Sequence, residues 1–239
     1  MKAMILAAGR GERLRPLTDV VPKPLVEVAG KPLIEYHLEK LAKAGFKQVV
    51  INCAWLGHKL PERLGDGSRW GLSIAYSHEQ QALETAGGII QALKLLGDEP
   101  FFVINGDIFI EQLPNIKQLH ASMMQQNAQI ALWLVNNPVH NPSGDFFLNQ
   151  QPDRDGDTWV DELEQEQLGV TYSGMGLYHP KIFTDLVPGR RALSPVIRDK
   201  IQQQQVLGQV YTHYWCDVGT IERMNTLEQD IVQGKVNTN

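Results

Sequence analysis

The arrangement that most limits what this chain can fold into lies in its first half. There, short apolar runs alternate with segments whose apolar residues recur at helical spacing. Lys2–Ala7 and Gln48–Cys53 are apolar or β-branched runs, Leu72–Tyr76 alternates, and Phe101–Asn105 opens on an unbroken apolar stretch. Between them, Leu33–Ala44 sets Leu33, Ile34, His37, Leu38 and Leu41 on one helical stripe that Gly45 ends. His58–Leu64 and Gly87–Leu96 read as further helices. Strands separated by helices are joined by crossovers, which suit parallel pairing. The pattern therefore predicts an α/β fold, a Rossmann-like mixed and mostly parallel sheet flanked by helices.

The second half is less regular. Asn115–Gln126 reads as a helix, Gln129–Val135, Val170–Tyr178 and Val206–Cys216 as strands, and Ile221–Val232 as a closing helix. Residues 136–168, rich in Asn, Pro, Gly and acidic side chains, are expected to form loops and an antiparallel hairpin. The glutamines that follow Ile201 read as an exposed helix end. No repeat or linker divides the chain, so 1–239 is expected to be one domain, long enough for a core without disulfides. No apolar run approaches the roughly 20 residues of a membrane helix, and the apolar start is too short for a secretory leader. Cys53 and Cys216 sit in strand-like runs, as buried reduced thiols of a cytoplasmic protein would. A net charge of −5 argues against nucleic acid or a membrane surface as partner.

One interval breaks the alternation. About 25 residues separate the first strand from the first helix, and they hold Gly9, Gly11, Pro16, Pro22, Pro24, Gly30 and Pro32. The segment is locally basic, with Arg10, Arg13, Arg15, Lys23 and Lys31 against Glu12, Asp19 and Glu27. Long structureless loops in compact domains are usually functional or disordered, and this one leaves the carboxyl end of a strand, where open α/β sheets bind ligands. Leu14 stands where a dinucleotide fingerprint needs its third glycine, and no Gly-Lys-Ser/Thr follows, so neither common phosphate motif applies. Even so, Gly9 and Gly11 permit close backbone approach to a phosphate, Arg13 offers a planar fork of donors, and Pro22 and Pro24 restrain Lys23 between them.

Two carboxylates sit at strand ends. Asn105-Gly106-Asp107 closes the apolar strand before it, and Trp215-Cys216-Asp217-Val218-Gly219-Thr220 repeats that arrangement. A pair of aspartates converging on a polyphosphate suits Mg²⁺, which takes one or two carboxylates and completes its shell with phosphate oxygens and water. Alone, each aspartate reads equally as a turn or helix-cap residue. The seven histidines show no metal-ligand spacing; His37 reads as a core histidine, and Met123, Met124 and Trp133 as packing.

Taken together, the N-terminal glycine loop, Pro22-Lys23-Pro24, Asn105-Gly106-Asp107 and the Trp215–Thr220 segment resemble the sugar-phosphate nucleotidyltransferases over nearly the whole chain. The resemblance implies the nucleotide-diphospho-sugar transferase fold without the C-terminal β-helix of many relatives. It implies a nucleotide-binding half over 1–110 and a sugar-binding half over 111–239. By matching position, Gly11, Glu12 and Arg13 would hold the triphosphate and Lys23 the reacting phosphate, with Arg13 and Lys23 the catalytic pair. The base would lie over Leu6, Ala8 and Gly9, near Glu79 and Gly88. Asn105, Glu84, Asp145 and Gly174 would contact sugar, and Asp107 and Asp217 would bind Mg²⁺. Leu83–Ile89 and Asn141–Phe146 resemble the uridylyltransferase branch that recycles peptidoglycan sugar. That narrower likeness implies UTP and N-acetylmuramic acid 1-phosphate as substrates. With no β-helix to form a trimer, a monomer or weak homodimer is expected. Glucose 1-phosphate with dTTP or UTP, mannose 1-phosphate with GTP, or a non-catalytic nucleotide-sugar sensor are the alternatives. His140 falls in the segment expected to meet sugar, and Trp215 is expected to pack beneath Asp217.

A sugar 1-phosphate already carries an ionised oxygen, since the second pKa of a phosphate monoester is about 6. No general base is needed, and the absence of a Ser-His-Asp pattern is expected. The obstacle is repulsion between two anions, which cations and alignment relieve.

Overall fold

The computed structural model describes residues 1–149, 157–164 and 167–238. Its first half runs β1 (Ala3–Leu6), α1 (Leu17–Val20), β2 (Glu27–Val28), β3 (Lys31–Pro32), α2 (Leu33–Lys43) and β4 (Gln48–Cys53). Then come α3 (Lys59–Leu64), β5 (Ser73–His78), α4 (Glu84–Leu96), β6 (Phe101–Asn105) and β7 (Ile108–Ile110). The second half holds α5 (Ile116–Gln125), β8 (Ile130–Val135), β9 (Phe147–Leu148), β10 (Thr158–Asp161) and β11 (Thr171–Tyr178). It closes with α6 (Lys181–Thr184), α7 (Ser194–Gln202), β12 (Val206–Val210), β13 (Trp215–Asp217) and α8 (Ile221–Val232).

Nine strands form one mixed sheet in the order β5-β4-β1-β6-β11-β8-β12-β10-β9. Pairing is parallel from β5 through β6, as the crossover pattern predicts, and again between β12 and β8. The antiparallel junctions all involve strands of the second half. Side chains alternate across the sheet, so Ala3 and Ile5 enter one core cluster and Met4 the other. The first cluster takes Ile34, Leu38 and Leu41 of α2, with residues of α3 and α5. The second takes Ala86, Ile89 and Ala92 of α4, with residues of α6 and α7. Sheet and helices thus form the expected three layers, and the parallel pairing of β1 with β6 sets Leu6 beside Asn105 at their carboxyl ends.

Several sequence expectations are corrected. The interval after β1 is not structureless: it holds the one-turn α1, two 3-10 turns and the β2–β3 hairpin. Val206–Cys216 is two strands, because the backbone N–H of Tyr211 donates to the Leu134 carbonyl and the chain then leaves the main sheet. Its second part, β13, pairs antiparallel with β7 in a separate ribbon. Helix α4 begins three residues before the expected Gly87, since no capping side chain marks its start. The hairpin expected within 136–168 is present as β9 against β10, while 150–156 and 165–166 lie outside the described residues. Among the described residues, no helix is long and apolar enough to cross a membrane. Both cysteines are free thiols, Cys53 buried as expected and Cys216 only partly so, and desolvation pushes the pKa of each up to about 11.

Candidate active site

The loop after β1 is built around Gly11, which adopts φ +69 and lies so close to its neighbours that a Cβ would meet Thr18 Cγ2 at 2.9 Å and Lys23 Cβ at 3.0 Å. Only glycine satisfies both demands. The Thr18 hydroxyl donates to the Gly11 carbonyl at 2.7 Å. Arg10 donates to the Thr18 carbonyl, pairs with Asp19 and lies 3.8 Å from the centre of the Trp55 ring. Arg10 is therefore committed to the loop, whereas Arg13, exposed in the 3-10 turn Glu12–Leu14, faces a cavity. The next 3-10 turn, Lys23–Leu25, buries Lys23 to 8% exposure. Its Nζ donates to Asp107 Oδ2 at 2.5 Å.

Asp107 follows β6 across Gly106, whose N–H donates to the Leu6 carbonyl; a Cβ there would stand 2.7 Å from that oxygen. The β7–β13 ribbon sets Asp217 opposite Ile108, and the Val218 N–H donates to the Asp107 carbonyl at 2.9 Å. Two aspartates distant in sequence thus lie on adjoining backbone. Asp217 Oδ2 pairs with Arg223 Nη1 at 3.2 Å and His140 Nε2 at 3.3 Å. Gly219 is hemmed in by Asp217 and Arg13, each 2.9 Å from where its Cβ would be. Among the described residues no third carboxylate, histidine or cysteine completes a cluster with them. Two hard oxygen donors in an otherwise open site match a divalent cation that draws its remaining ligands from phosphate and water.

Three cavities of about 460, 490 and 210 Å³ meet at Asn105, which lines all of them. The first brings together Leu6, Ala8, Gly9, Lys23, Asp107 and Glu84; the second holds Glu84 and Asp145; the third holds Arg13, Asp107, Gly174 and Asp217. Asn105 owes its position to a bulge in β11 between Tyr172 and Met175. There Gly174 adopts φ +85, and a Cβ would lie 2.8 Å from Asn105 Nδ2. The Trp215 indole N–H donates to the Ser173 carbonyl at 2.8 Å, so Trp215 ties β13 to the bulge. Asp145 accepts from Asn141 Nδ2 at 3.0 Å and from the Tyr172 N–H at 2.8 Å. Glu84 starts α4 at φ +61, a conformation that glutamate rarely adopts, and pairs with Arg190 at 2.9 Å. Such outliers tend to gather at ligand sites.

Gly11, Glu12, Glu79 and Gly88 line none of these cavities. Glu79 instead sits behind the first cavity, where Oε1 accepts from Asn52 Nδ2 at 2.7 Å and Oε2 from the Leu83 N–H at 2.8 Å. Asn52 Oδ1 in turn accepts from the Ala7 N–H at 2.8 Å. Burial raises the Glu79 pKa, and the two donors pull it back. Gly88 is glycine because a Cβ would fall 2.6 Å from Asn52 Nδ2 and 2.7 Å from Glu79 Oε1. His37 is buried, and desolvation lowers it to about 3. Sequence reasoning missed Asn52, Arg190, Arg198 and Arg223. Only Asn52 carried a signal, as a lone amide in the β-branched run of β4.

A profile of the family described as Nucleotidyl transferase matches residues 2–234. Over 230 residues the chain is 50% identical to the N-acetylmuramate alpha-1-phosphate uridylyltransferase of Neisseria meningitidis serogroup B, covering 94% of this chain and 95% of that one. It is 40% identical over 132 residues to a UTP–glucose-1-phosphate uridylyltransferase of Synechocystis, covering 50% of this chain and 34% of that relative. A mannose-1-phosphate guanylyltransferase of Mycobacterium tuberculosis is 28% identical over 238 residues, or 97% of this chain and 65% of the relative. Among solved structures, a UDP-glucose pyrophosphorylase complexed with UDP-glucose matches with a TM-score of 0.79 at 18% identity, covering 98% of each chain. That last likeness is one of fold.

Proposed function

The chain belongs to the nucleotidyl transferase family, and from that premise we propose that it transfers UMP from UTP to N-acetylmuramic acid α-1-phosphate, giving UDP-N-acetylmuramic acid and pyrophosphate. One observation carries the class of chemistry: Lys23, Asp107, Asp217 and Arg13 gather where the three cavities join at Asn105. The near full-length likeness to the Neisseria protein supports the choice of base and sugar. In this reading the nucleotide occupies the first cavity, over Leu6, Ala8 and Gly9 in the 1–110 half. The sugar extends from Asn105, which Gly174 of the bulge backs, into the second cavity beside Glu84 and Asp145.

An oxygen of the sugar phosphate attacks the α-phosphorus of UTP, a new P–O bond forms, and the bond to the bridging oxygen breaks as pyrophosphate leaves. Lys23 holds its ammonium at the reacting phosphate, where negative charge accumulates. Arg13 takes the triphosphate with its planar fork of donors. Asn105 and Asp145 orient the sugar so that the attacking oxygen is already in line. Asp107 and Asp217 are the residues that would hold Mg²⁺, which when bound neutralises phosphate charge. Lys23 pairs with Asp107, and Arg223 and His140 contact Asp217, so this chain's own side chains hold both carboxylates in position. In this reading the chain works as a monomer or weak homodimer in the cytoplasm.

The test is pyrophosphate release with four nucleoside triphosphates against a panel of sugar 1-phosphates. We expect the highest kcat/KM for UTP with N-acetylmuramic acid 1-phosphate. A higher value for glucose 1-phosphate with dTTP, or for mannose 1-phosphate with GTP, refutes the substrate assignment and leaves the class intact.

A further inference from the structure

The second cavity carries more than a sugar ring requires. It is lined on one side by α7, through Leu193, Ser194, Ile197 and Arg198, and on the other by Phe146 and Tyr172. Arg198 is the only cationic side chain among the described residues that line it. Its guanidinium carbon lies 5.5 Å from the centre of the Phe146 ring, so the side chain is braced against an aromatic face. Nη2 donates to the Asp145 carbonyl at 3.4 Å, and Nη1 is ion-paired with Glu162.

The acidic groups of this cavity are already satisfied. Both oxygens of Asp145 accept hydrogen bonds, from Asn141 and Tyr172, and Glu84 pairs with Arg190. The Arg198–Glu162 contact differs from these: both side chains are part-exposed, at 42% and 34%, and such pairs are held weakly. Arg198 therefore presents a planar fork on a helix, with a partner that another carboxylate can replace at small cost.

We propose that Arg198 forms a carboxylate-binding subsite that reads the lactyl ether of the sugar, with Glu162 holding its place in the free protein. This rests on the substrate reading above. N-acetylmuramic acid differs from N-acetylglucosamine by that ether and its carboxylate, so a cation lining the sugar cavity separates the two by charge. A site built around a polar partner rejects the analogue lacking it more strongly than an apolar pocket does.

The experiment compares kcat/KM for N-acetylmuramic acid 1-phosphate and N-acetylglucosamine 1-phosphate, each with UTP, in the unaltered protein and in Arg198→Met, Arg198→Lys and Glu162→Gln. Arg198→Met should cut the value for the lactyl sugar about 10- to 100-fold, the loss expected for one charge-assisted partner, and leave the other sugar near its original value. Arg198→Lys, which keeps the charge on α7 without the fork, should give an intermediate ratio and reads the proposal even if the methionine variant folds poorly. Glu162→Gln should lower KM for the lactyl sugar alone. A preference for the lactyl sugar that survives both Arg198 substitutions, or an equal fall for both sugars, overturns the subsite and leaves the functional reading standing. No such preference in the unaltered protein overturns both.

Discussion

Glu79→Gln changes one atom's chemistry and tests how the wall of the first cavity is held. Three hydrogen bonds run in series behind that wall: Ala7 N–H to Asn52 Oδ1, Asn52 Nδ2 to Glu79 Oε1, and Leu83 N–H to Glu79 Oε2. Both ends of the chain are backbone donors, and they cannot reverse. Asn52 supplies one acceptor and one donor, so residue 79 must accept on both oxygens. An ionised carboxylate does this; a glutamine cannot. If its oxygen faces Leu83, its NH₂ meets the NH₂ of Asn52. Flipping either amide only moves the donor-to-donor clash to Leu83 or Ala7. Asn52 and Glu79 are both buried, at 2% and 6% exposure, so water has little room to repair the fault. One mispaired buried donor costs about 1–3 kcal/mol. For a chain of this size that lowers Tm by roughly 2–4 °C per kcal/mol, hence about 2–12 °C in total. Differential scanning calorimetry at pH 7.5 measures it, with urea unfolding as the check on ΔG. KM for the nucleoside triphosphate should rise as well, since Ala7 lines the first cavity and Leu83 precedes Glu84. A Tm equal to or above that of the unaltered protein would refute the fixed polarity of the series.

Lys23→Ala should lower kcat by about 10²-fold or more, as loss of a preorganised donor at developing charge does, and a change confined to KM in steady-state assays would reassign Lys23 to ground-state binding. His37 stays neutral in the fold because its pKa is lowered from 6.5 to about 3, whereas the unfolded chain takes up a proton below 6.5. Its contribution is thus complete above pH 6.5 and shrinks as pH falls, by about 1.4 kcal/mol per unit, or about 2 kcal/mol by pH 5. Urea titrations at pH 7.5 and 5 should show His37→Leu losing less stability than the unaltered protein over that interval, and equal losses would count against a neutral buried imidazole. Gly174→Ala should raise KM for the sugar phosphate, because its methyl would stand 2.8 Å from Asn105 Nδ2, whereas Gly45→Ala, at φ +86 but with nothing within 4 Å, should leave that KM alone. Equal rises in KM, measured in steady-state assays, would show that backbone strain, and not the displaced Asn105, is responsible.

What could be seen in the sequence and what could not divide along a physical line. Gln48–Cys53, Phe101–Asn105 and Ile221–Val232 form the elements expected at those same residues, because each buries a stripe or a face that its own periodicity displays. The strand ends bearing Asp107 and Asp217 were equally visible, since a polar residue after an apolar run marks where the chain leaves the core. Their adjacency was not. It depends on the β7–β13 ribbon, and that depends on β13 breaking away from a run that reads as one strand from Val206 to Cys216. Nothing local signals the break; it is decided by whether Tyr211 or a later residue makes the last bond to β8. The same holds for Arg10 and Arg13, two arginines alike on paper. One is committed to Thr18, Asp19 and Trp55, and the other faces the cleft, a division set by Trp55 far along the chain. Glu79 makes the point most sharply. It was expected beside the base, yet it lines no cavity and accepts two donors from behind the first one, a role fixed by Asn52 and Leu83 and by the direction of the Ala7 N–H just past β1. Residue type at a strand end announces that chemistry is available there; which atoms remain free for a ligand is decided by long-range partners, and only coordinates supply those.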